Sequence, residues 1–507
     1  MTVTVKSRLG ALGLLIAAGV VAGLLPVFLK PLVALAAAFG AVVVIVIVRD
    51  PHVGIILTAL SIPLETAGQV GSLTANLPLT VPKILTAVTL AAWLVNVSLR
   101  KARYRRLPWM YLLPAFLAAA CLSLVGAKEV GPGVEAVFRF CTTVVFFFLV
   151  VQLVDSPRML KLTIAALIIT SAAAAGYAIV QRYLPEAKFA FRYGWEESAA
   201  RRSGVEQDIV EKEMVGVVER SSGVSLHSIL LSLNVALLVA PLTALLANAH
   251  LRDVLRRLFW LAILGVLAAA VVNTYARTGF LLFVFALFLM LCRGLIRVTK
   301  AKLIVALVVV IVLLTALPEK YTRRVLNPES YSTRSRSIRA RLELVSAAGR
   351  QFLDHPLLGA GYGNRYGIFE YYTTYPDKKH AVTPHNAYVQ VASQVGLVGL
   401  VVLMLFFWKV HRHTIRSVAV FSRLGMSDLA RLGSALDISM LVFLLSGLAL
   451  DLFDKGMPQA WLVVGMCGAF SCMAERACAE DAGGIRAESR APGSAPAERP
   501  GTAADGT

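Results

Sequence analysis

The sequence predicts an all-α polytopic membrane protein, and three observations carry that prediction. Hydrophobic residues make up 57% of the 507-residue chain and charged residues only 16%, far from the balance of a soluble domain. Apolar runs long enough to cross a hydrocarbon core of roughly 30 Å recur from end to end. Lys and Arg gather in alternate connections, as they do in the cytoplasmic loops of such proteins. Together these predict about fourteen transmembrane helices and one large, partly helical extracytoplasmic loop.

Taken in order, Met1 to Arg8 is short and basic and precedes an apolar run from Leu9 to Leu29. A signal peptide would look similar. No small-residue cleavage site is evident, however, and the next span follows at once from Pro31 to Val48, so the run reads as an uncleaved first span. Further spans fit 52–64, 82–99, 109–126, 134–154, 159–184, 226–248, 258–276, 278–292, 302–317, 387–408, 434–453 and 457–473. With a cytoplasmic N-terminus, the connections Arg100–Arg106, Arg252–Arg257, Arg293–Lys302 and Lys409–Arg431 fall inside, and all are rich in Lys and Arg. Those at Lys30-Pro31, Glu65–Val81, Ala127–Gly133 and Asp454–Pro458 fall outside and are poor in them, as the positive-inside rule requires. Residues 1–317 thus form a transmembrane bundle with an outer loop near 185–225. Residues 318–386 form the large extracytoplasmic loop and 387–473 the last transmembrane helices. Residues 474–507, rich in Ala, Gly, Glu and Pro, read as a disordered cytoplasmic tail.

The net charge of +20 is explained in part by the inside loops. It does not imply a nucleic-acid partner, because the basic residues are scattered among spans without a binding motif. Six cysteines lie in apolar spans or at their ends with no CxxC pair, which indicates neither a disulfide framework nor a zinc site.

Long loops are exempt from the charge rule, so the segment from Pro318 to Gln390 needs its own account. It carries eleven basic residues against six acidic ones, a net +5, and a cationic loop over a membrane bundle suggests an anionic substrate at the bilayer surface. Ile338, Leu342, Val345, Gly349 and Phe352 follow the spacing of one helical face, and Pro356 ends the run. Arg334 and Arg341 would project from this helix, either toward substrate or onto anionic membrane lipids. Next comes the glycine-punctuated turn Pro356-Leu357-Leu358-Gly359-Ala360-Gly361-Tyr362-Gly363-Asn364, which has the wrong spacing and context for a dinucleotide fingerprint.

His385 follows Thr383-Pro384, good N-cap and first-turn residues, and precedes an apolar run from Ala387 to Trp408. It is therefore expected in the first turn of a spanning helix, where the partial positive charge disfavours imidazolium and leaves the ring able to accept a proton. A capping or interfacial histidine is the plainer alternative. Arg277 lies in a tight outer turn between two spans, as a headgroup anchor or as a ligand for the same anion. Asp451 and Asp454 stand near an outer span end, either as functional carboxylates or, as is more usual at a helix end, simply as solvated ones. There is no Walker A sequence, no Asp-x-Asp pair in the first outer loop and no nucleophile elbow.

The order of Arg277, Arg341-Leu342-Glu343-Leu344, the turn Pro356–Asn364, His385-Asn386-Ala387-Tyr388-Val389-Gln390 and Val395-Gly396-Leu397-Val398-Gly399-Leu400 resembles the O-antigen ligase and polymerase superfamily over about 270–405. One departure is Val345, where the family usually has tryptophan after the helix arginine. The resemblance implies a C-type membrane glycosyltransferase fold and an inverting reaction without metal or other cofactor. It implies a glycan donor on undecaprenyl pyrophosphate at the outer face of the bacterial inner membrane, and as acceptor either lipid A-core or another lipid-linked glycan. Arg277 and Arg341 would then hold the pyrophosphate, with Arg336 and Arg339 as further candidates, since arginine forks can neutralise it without an ion. His385 would activate or position the acceptor hydroxyl, with Asn386 holding the site's polar groups. Ligase and polymerase both fit. A polysaccharide flippase or exporter is the alternative from another class, but it would show two similar halves and residues at mid-membrane.

Overall fold

The computed structural model describes residues 31–65, 69–74, 77–99, 104–183, 228–249, 253–296, 336–364, 383–453 and 457–488. The expected spans at 9–29 and 302–317, and the loop near 185–225, lie outside these residues. Among the described residues thirteen α-helices follow one another: α1 Pro31–Arg49, α2 Pro51–Ser61, α3 Val81–Ser98, α4 Leu112–Ser123, α5 Val130–Leu153, α6 Pro157–Tyr183, α7 Ser228–Ala247, α8 Val254–Thr274, α9 Arg277–Cys292, α10 Arg336–Asp354, α11 Ala387–Arg423, α12 Ser427–Ser446 and α13 Pro458–Glu488. Among the described residues nine helices are long and apolar enough to cross a membrane, and three apolar ones are shorter. The chain is therefore a multi-pass α-helical membrane protein.

Two details differ from expectation. The connection after α2 holds a two-stranded antiparallel hairpin, Gln69–Thr74 with Leu77–Thr80, so the described residues are not purely helical. The Thr80 hydroxyl donates to Glu65 Oε1 at 3.1 Å and ties the hairpin base to the end of α2. The last helix also runs on to Glu488, where disorder was expected from Ala474. Ala, Glu and Arg are good helix formers, and the helix already established in the bundle propagates through them at little cost.

The core is aromatic. Trp461 of α13 is fully buried, with the rings of Phe140, Phe406 and Phe407 at 5.8, 6.1 and 5.9 Å. Around it α7, α12 and α13 form the most enclosed part of the bundle. One end of the bundle carries Arg277 and His385 and is called the site end below. The other, with Arg293, Lys409 and Arg412, is the basic end.

The element that positions the site is α11, which is not the straight span expected over 387–408. At Gly396 the backbone takes φ 74°, ψ −172°, a region essentially open to glycine alone. A Cβ there would overlap the Leu357 carbonyl oxygen. The break frees backbone groups that have no water to bind in an apolar interior. The glycine turn after α10 supplies the partners. Ala360 and Gly361 donate to the carbonyls of Ser393 and Gln394 at 2.9 and 3.0 Å, while Leu397 and Val398 donate to those of Pro356 and Leu357 at 2.8 and 3.4 Å. Gly359, at φ +71°, lies so close to Gln394 that any side chain would strike its carbonyl.

The break changes the course of the chain. Ala387 N–H bonds to Gly447 O at 2.7 Å, and His411 Nδ1 lies 2.7 Å from Asp437 Oδ1. At about 1.5 Å per residue, roughly 36 Å of helix separates Ala387 from His411, but only about 15 Å separates Gly447 from Asp437 along α12. The segments 387–395 and 397–423 therefore cannot be collinear. The first turns off the axis of the second and delivers His385 beside the end of α12.

At the basic end the same helices are clamped by charge. Asp437 of α12 has no side-chain exposure; it meets His411 of α11 at 2.7 Å and Arg293, just after α9, at 3.0 Å. The arginine contact is an ion pair too poorly aligned to be a hydrogen bond. Removing one member of a buried charge group costs about 3–5 kcal/mol. Asp437→Ala should accordingly lower the thermal unfolding midpoint of the purified protein sharply; an unchanged midpoint would show that the clamp is energetically idle. Gly396→Ala should cost at least about 1–3 kcal/mol, whereas Gly349→Ala, with open space at its Cβ, should be neutral or gain up to about 1 kcal/mol. Equal effects in the same melting assay would refute the role given to the break.

Candidate functional site

Arg277 opens α9. The preceding helix ends in Tyr275, a buried non-glycine residue at φ 49°, and Ala276 returns to extended backbone. This left-handed residue makes the turn tight enough to start a new helix at once. Gly279, one turn into α9, packs so closely on Ser232 of α7 that a Cβ would overlap its hydroxyl. The arginine is thus seated by two rigid helices.

Arg341 lies on α10, but on a different face from the one expected. The buried residues are Leu344, Ala347, Ala348 and Gln351, which pack toward Val389 of α11. Leu342, placed on the apolar face by spacing, is 52% exposed. The small alanines explain the choice, since they let α10 approach α11 closely where larger side chains would hold it off. Arg341 sits one turn before Leu344, at the start of this packed face. Burial lowers its pKa from the ordinary value; the positive Arg277 lowers it further, and Asp451 opposes both. Arg341, Arg277 and Asp451 therefore share one electrostatic neighbourhood, although their segments are far apart in sequence. Arg336 opens α10 and Arg339 lies in its first turn, with side chains outside the described residues.

His385 is not in the first turn of α11. The cap is Asn386, whose side-chain oxygen accepts from Tyr388 and Val389 N–H, both at 3.1 Å. His385 lies just before it at φ 50°. Asn386 wins the cap position because its carboxamide can accept two of the orphan N–H groups. Its oxygen is thereby committed to the helix, and its nitrogen donates to Leu448 O at 3.4 Å. Freed from the helix, the imidazole presents Nδ1 to Asp451 Oδ2 at 3.2 Å. Thr383, expected to be a capping residue, donates its hydroxyl to the same oxygen at 2.5 Å. The histidine side chain is 40% exposed while the aspartate side chain is fully buried. This is a histidine fixed from behind by a buried carboxylate and open in front.

Asp451 is the residue that sequence reasoning undervalued. It follows α12 by only a few residues, a position where the solvated reading outweighs the functional one. The available signal was its setting in Leu450-Asp451-Leu452-Phe453, an acid enclosed by apolar residues that are themselves buried at 452 and 453. Asp454 lies outside the described residues. Among those described, no three His, Cys, Asp or Glu side chains gather closely enough to hold a metal ion.

The glycine turn holds this assembly to the bundle. Tyr362 is buried between Phe116 and Phe140, with rings at 6.0 and 6.3 Å. Its N–H donates to Ser123 Oγ at 2.9 Å and its hydroxyl to Phe453 O at 3.3 Å. The turn therefore bridges α4, the break in α11 and the segment that bears Asp451.

No curated protein matches the chain in a sequence comparison. Residues 230–404, from the start of α7 to the middle of α11, match the family model of the O-antigen ligase domain. The match encloses Arg277, Arg341, the glycine turn, His385 and the break at Gly396, and stops short of Asp451. The match covers about a third of the chain, and over that stretch it supports a likeness to the O-antigen ligase superfamily.

Proposed function

We propose that this protein is an inverting, lipid-linked glycan transferase of the O-antigen ligase or polymerase type. The observation that carries the reading is the convergence of two arginines, a buried aspartate and a half-exposed histidine at one end of a membrane bundle. The donor is a glycan on undecaprenyl pyrophosphate. Arg277 and Arg341 hold the pyrophosphate, whose negative charge offsets the cost of keeping two guanidinium groups close together. Arg336 and Arg339 extend the cationic surface of α10. With Nδ1 turned to Asp451, His385 keeps Nε2 for the acceptor hydroxyl, in the arrangement that fixes a tautomer for general-base work. The acceptor oxygen attacks the anomeric carbon, the bond to pyrophosphate breaks, and the proton passes to His385. Undecaprenyl pyrophosphate leaves with the bonding electron pair, and no metal ion takes part.

Lipid A-core and a second lipid-linked glycan both satisfy this chemistry as acceptor, so ligase and polymerase share the mechanism. The flippase reading draws less support, because the ionisable residues gather at the bundle end rather than at mid-membrane. The site is placed on the periplasmic side of a bacterial inner membrane, following the distribution of Lys and Arg. In this setting the exposed Leu342, Leu353, Leu357 and Leu358 face lipid.

Topology is tested by single cysteines in a cysteine-free background. Thr373→Cys should label with an impermeant thiol reagent in intact cells and Ser489→Cys should not; a labelled tail overturns the orientation. Catalysis is tested by single-turnover transfer with purified lipid-linked donor, beside a donor-binding assay. Truncating one partner of a desolvated charge contact costs roughly 2–5 kcal/mol, so Arg277→Ala or Arg341→Ala should nearly abolish binding, with lysine rescuing only in part. His385→Ala should bind donor but lose about 10²–10⁴ in rate, and Asp451→Asn should follow it in the same direction. Full turnover in His385→Ala would remove the base assignment, and a strict requirement for Mg²⁺ after EDTA treatment would contradict the metal-free step.

A further inference from the structure

The buried glutamines of this fold divide into two kinds. Gln152, near the basic end, is 3% exposed and fully satisfied: Oε1 accepts Arg105 N–H at 2.9 Å and Nε2 donates to Arg105 O at 2.8 Å. Gln390 is equally buried, at 2%, yet among the described residues neither Oε1 nor Nε2 has a hydrogen-bond partner. It stands one turn after Asn386 on the same side of α11, within the short segment that delivers His385. Two neighbours share the condition in part. Gln394, a further turn on, accepts Gly363 N–H at 3.1 Å through Oε1 but leaves Nε2 unpartnered. Gln351, on the buried face of α10 that packs against α11, has an unpartnered Oε1.

Buried amides without partners are costly, and an apolar side chain of the same length would remove the cost without disturbing the helix. At Gln152 the backbone satisfies both polar atoms, and at Gln459 of α13 the nitrogen donates to Asn234 O at 2.7 Å while Oε1 has no partner among the described residues. Gln390 instead offers one acceptor and two donors one turn into the helix that His385 precedes, with no group among the described residues to receive them. A sugar hydroxyl both donates and accepts, and so matches a carboxamide on either atom.

We propose that Gln390 is a specificity-determining residue whose carboxamide hydrogen-bonds a sugar hydroxyl of the glycan held at His385, with Gln351 and Gln394 completing the polar wall. The proposal rests on the transferase reading and deepens it. The hydroxyl belongs either to the donor sugar or to the acceptor sugar, and the chemistry is common to both. A site built to bond a hydroxyl discriminates strongly against a substrate that lacks it.

The experiment uses the purified full-length protein, native undecaprenyl-pyrophosphate-linked glycan extracted from the producing cells, and the acceptor. Gln390→Leu should melt at the same temperature as the wild type or higher, because it removes the unpaired amide. Its transfer rate should fall at least about a hundredfold. Loss of donor binding assigns the hydroxyl to the donor, and a raised acceptor KM with unchanged donor binding assigns it to the acceptor. A stable Gln390→Leu protein with wild-type transfer overturns the proposal and leaves the amide as a packing or water-binding group. Should Leu fail to fold, Gln390→Met, unbranched and apolar, serves the same comparison. A deoxy-sugar substrate gives an independent readout: the wild type should reject it, and the apolar variants should handle it as they handle the normal one. If the folded wild type itself transfers no glycan, the transferase reading fails; if it does and Gln390→Leu matches it, only this inference fails.

Discussion

The structure depends on a backbone exchange at the break in α11. A helix interrupted inside an apolar bundle leaves carbonyls and N–H groups that water cannot reach, and each one unmade is expensive. Here the turn 356–361 gives two N–H groups to the carbonyls before Gly396 and takes two N–H groups from after it. Four bonds replace those the helix lost. Glycine is needed on both sides of the exchange, because each backbone must come nearer than a Cβ permits. With the break satisfied, the leading segment of α11 is free to turn away, and His385 reaches the end of α12.

The same three helices carry two groups made of the same three kinds of side chain. Arg277, His385 and Asp451 stand at the start of α9, just before α11 and just after α12. Arg293, at the far end of α9, meets Asp437 in the middle of α12, and Asp437 meets His411 well inside α11. At the basic end the aspartate has both partners in direct contact, and the group reads as a clamp. At the site end the carboxylate engages the histidine and Thr383, while Arg277 and Arg341 stand in the same electrostatic neighbourhood. Anchoring α12 at the basic end stiffens the strut from which Asp451 aims the imidazole, so the two clusters belong to one mechanical unit.

Much of this architecture was legible in the sequence. Length and hydropathy of the runs are local properties, and they placed the described helices from α1 to α9 within a few residues, whereas α11 and α13 run well past their expected ends and α12 starts and ends before its expected bounds. The positions of Arg277 and His385 at helix starts could be read because a polar residue between apolar runs must lie at an interface. The buried face of α10 could not be read so directly. Hydrophobic spacing selected the face with the larger side chains, but in a membrane large apolar groups are as content against lipid as against protein, and close packing favours the alanines. Capping of α11 likewise turned on a contest between Thr383 and Asn386 that only the course of the chain decides.

What the sequence by itself determined was the class of protein, the order of its helices and the presence of arginines and a histidine in polar connections. Each follows from short-range physics: the thickness of a bilayer, the period of a helix, the chemistry of a side chain. The tertiary structure decided that the glycine turn fills a helix break, that Asp451 stands behind His385, and that Gln390 is buried without a partner among the described residues. Those facts join segments separated by tens or hundreds of residues, and they rest on satisfying buried polar groups in three dimensions, a condition no local pattern records.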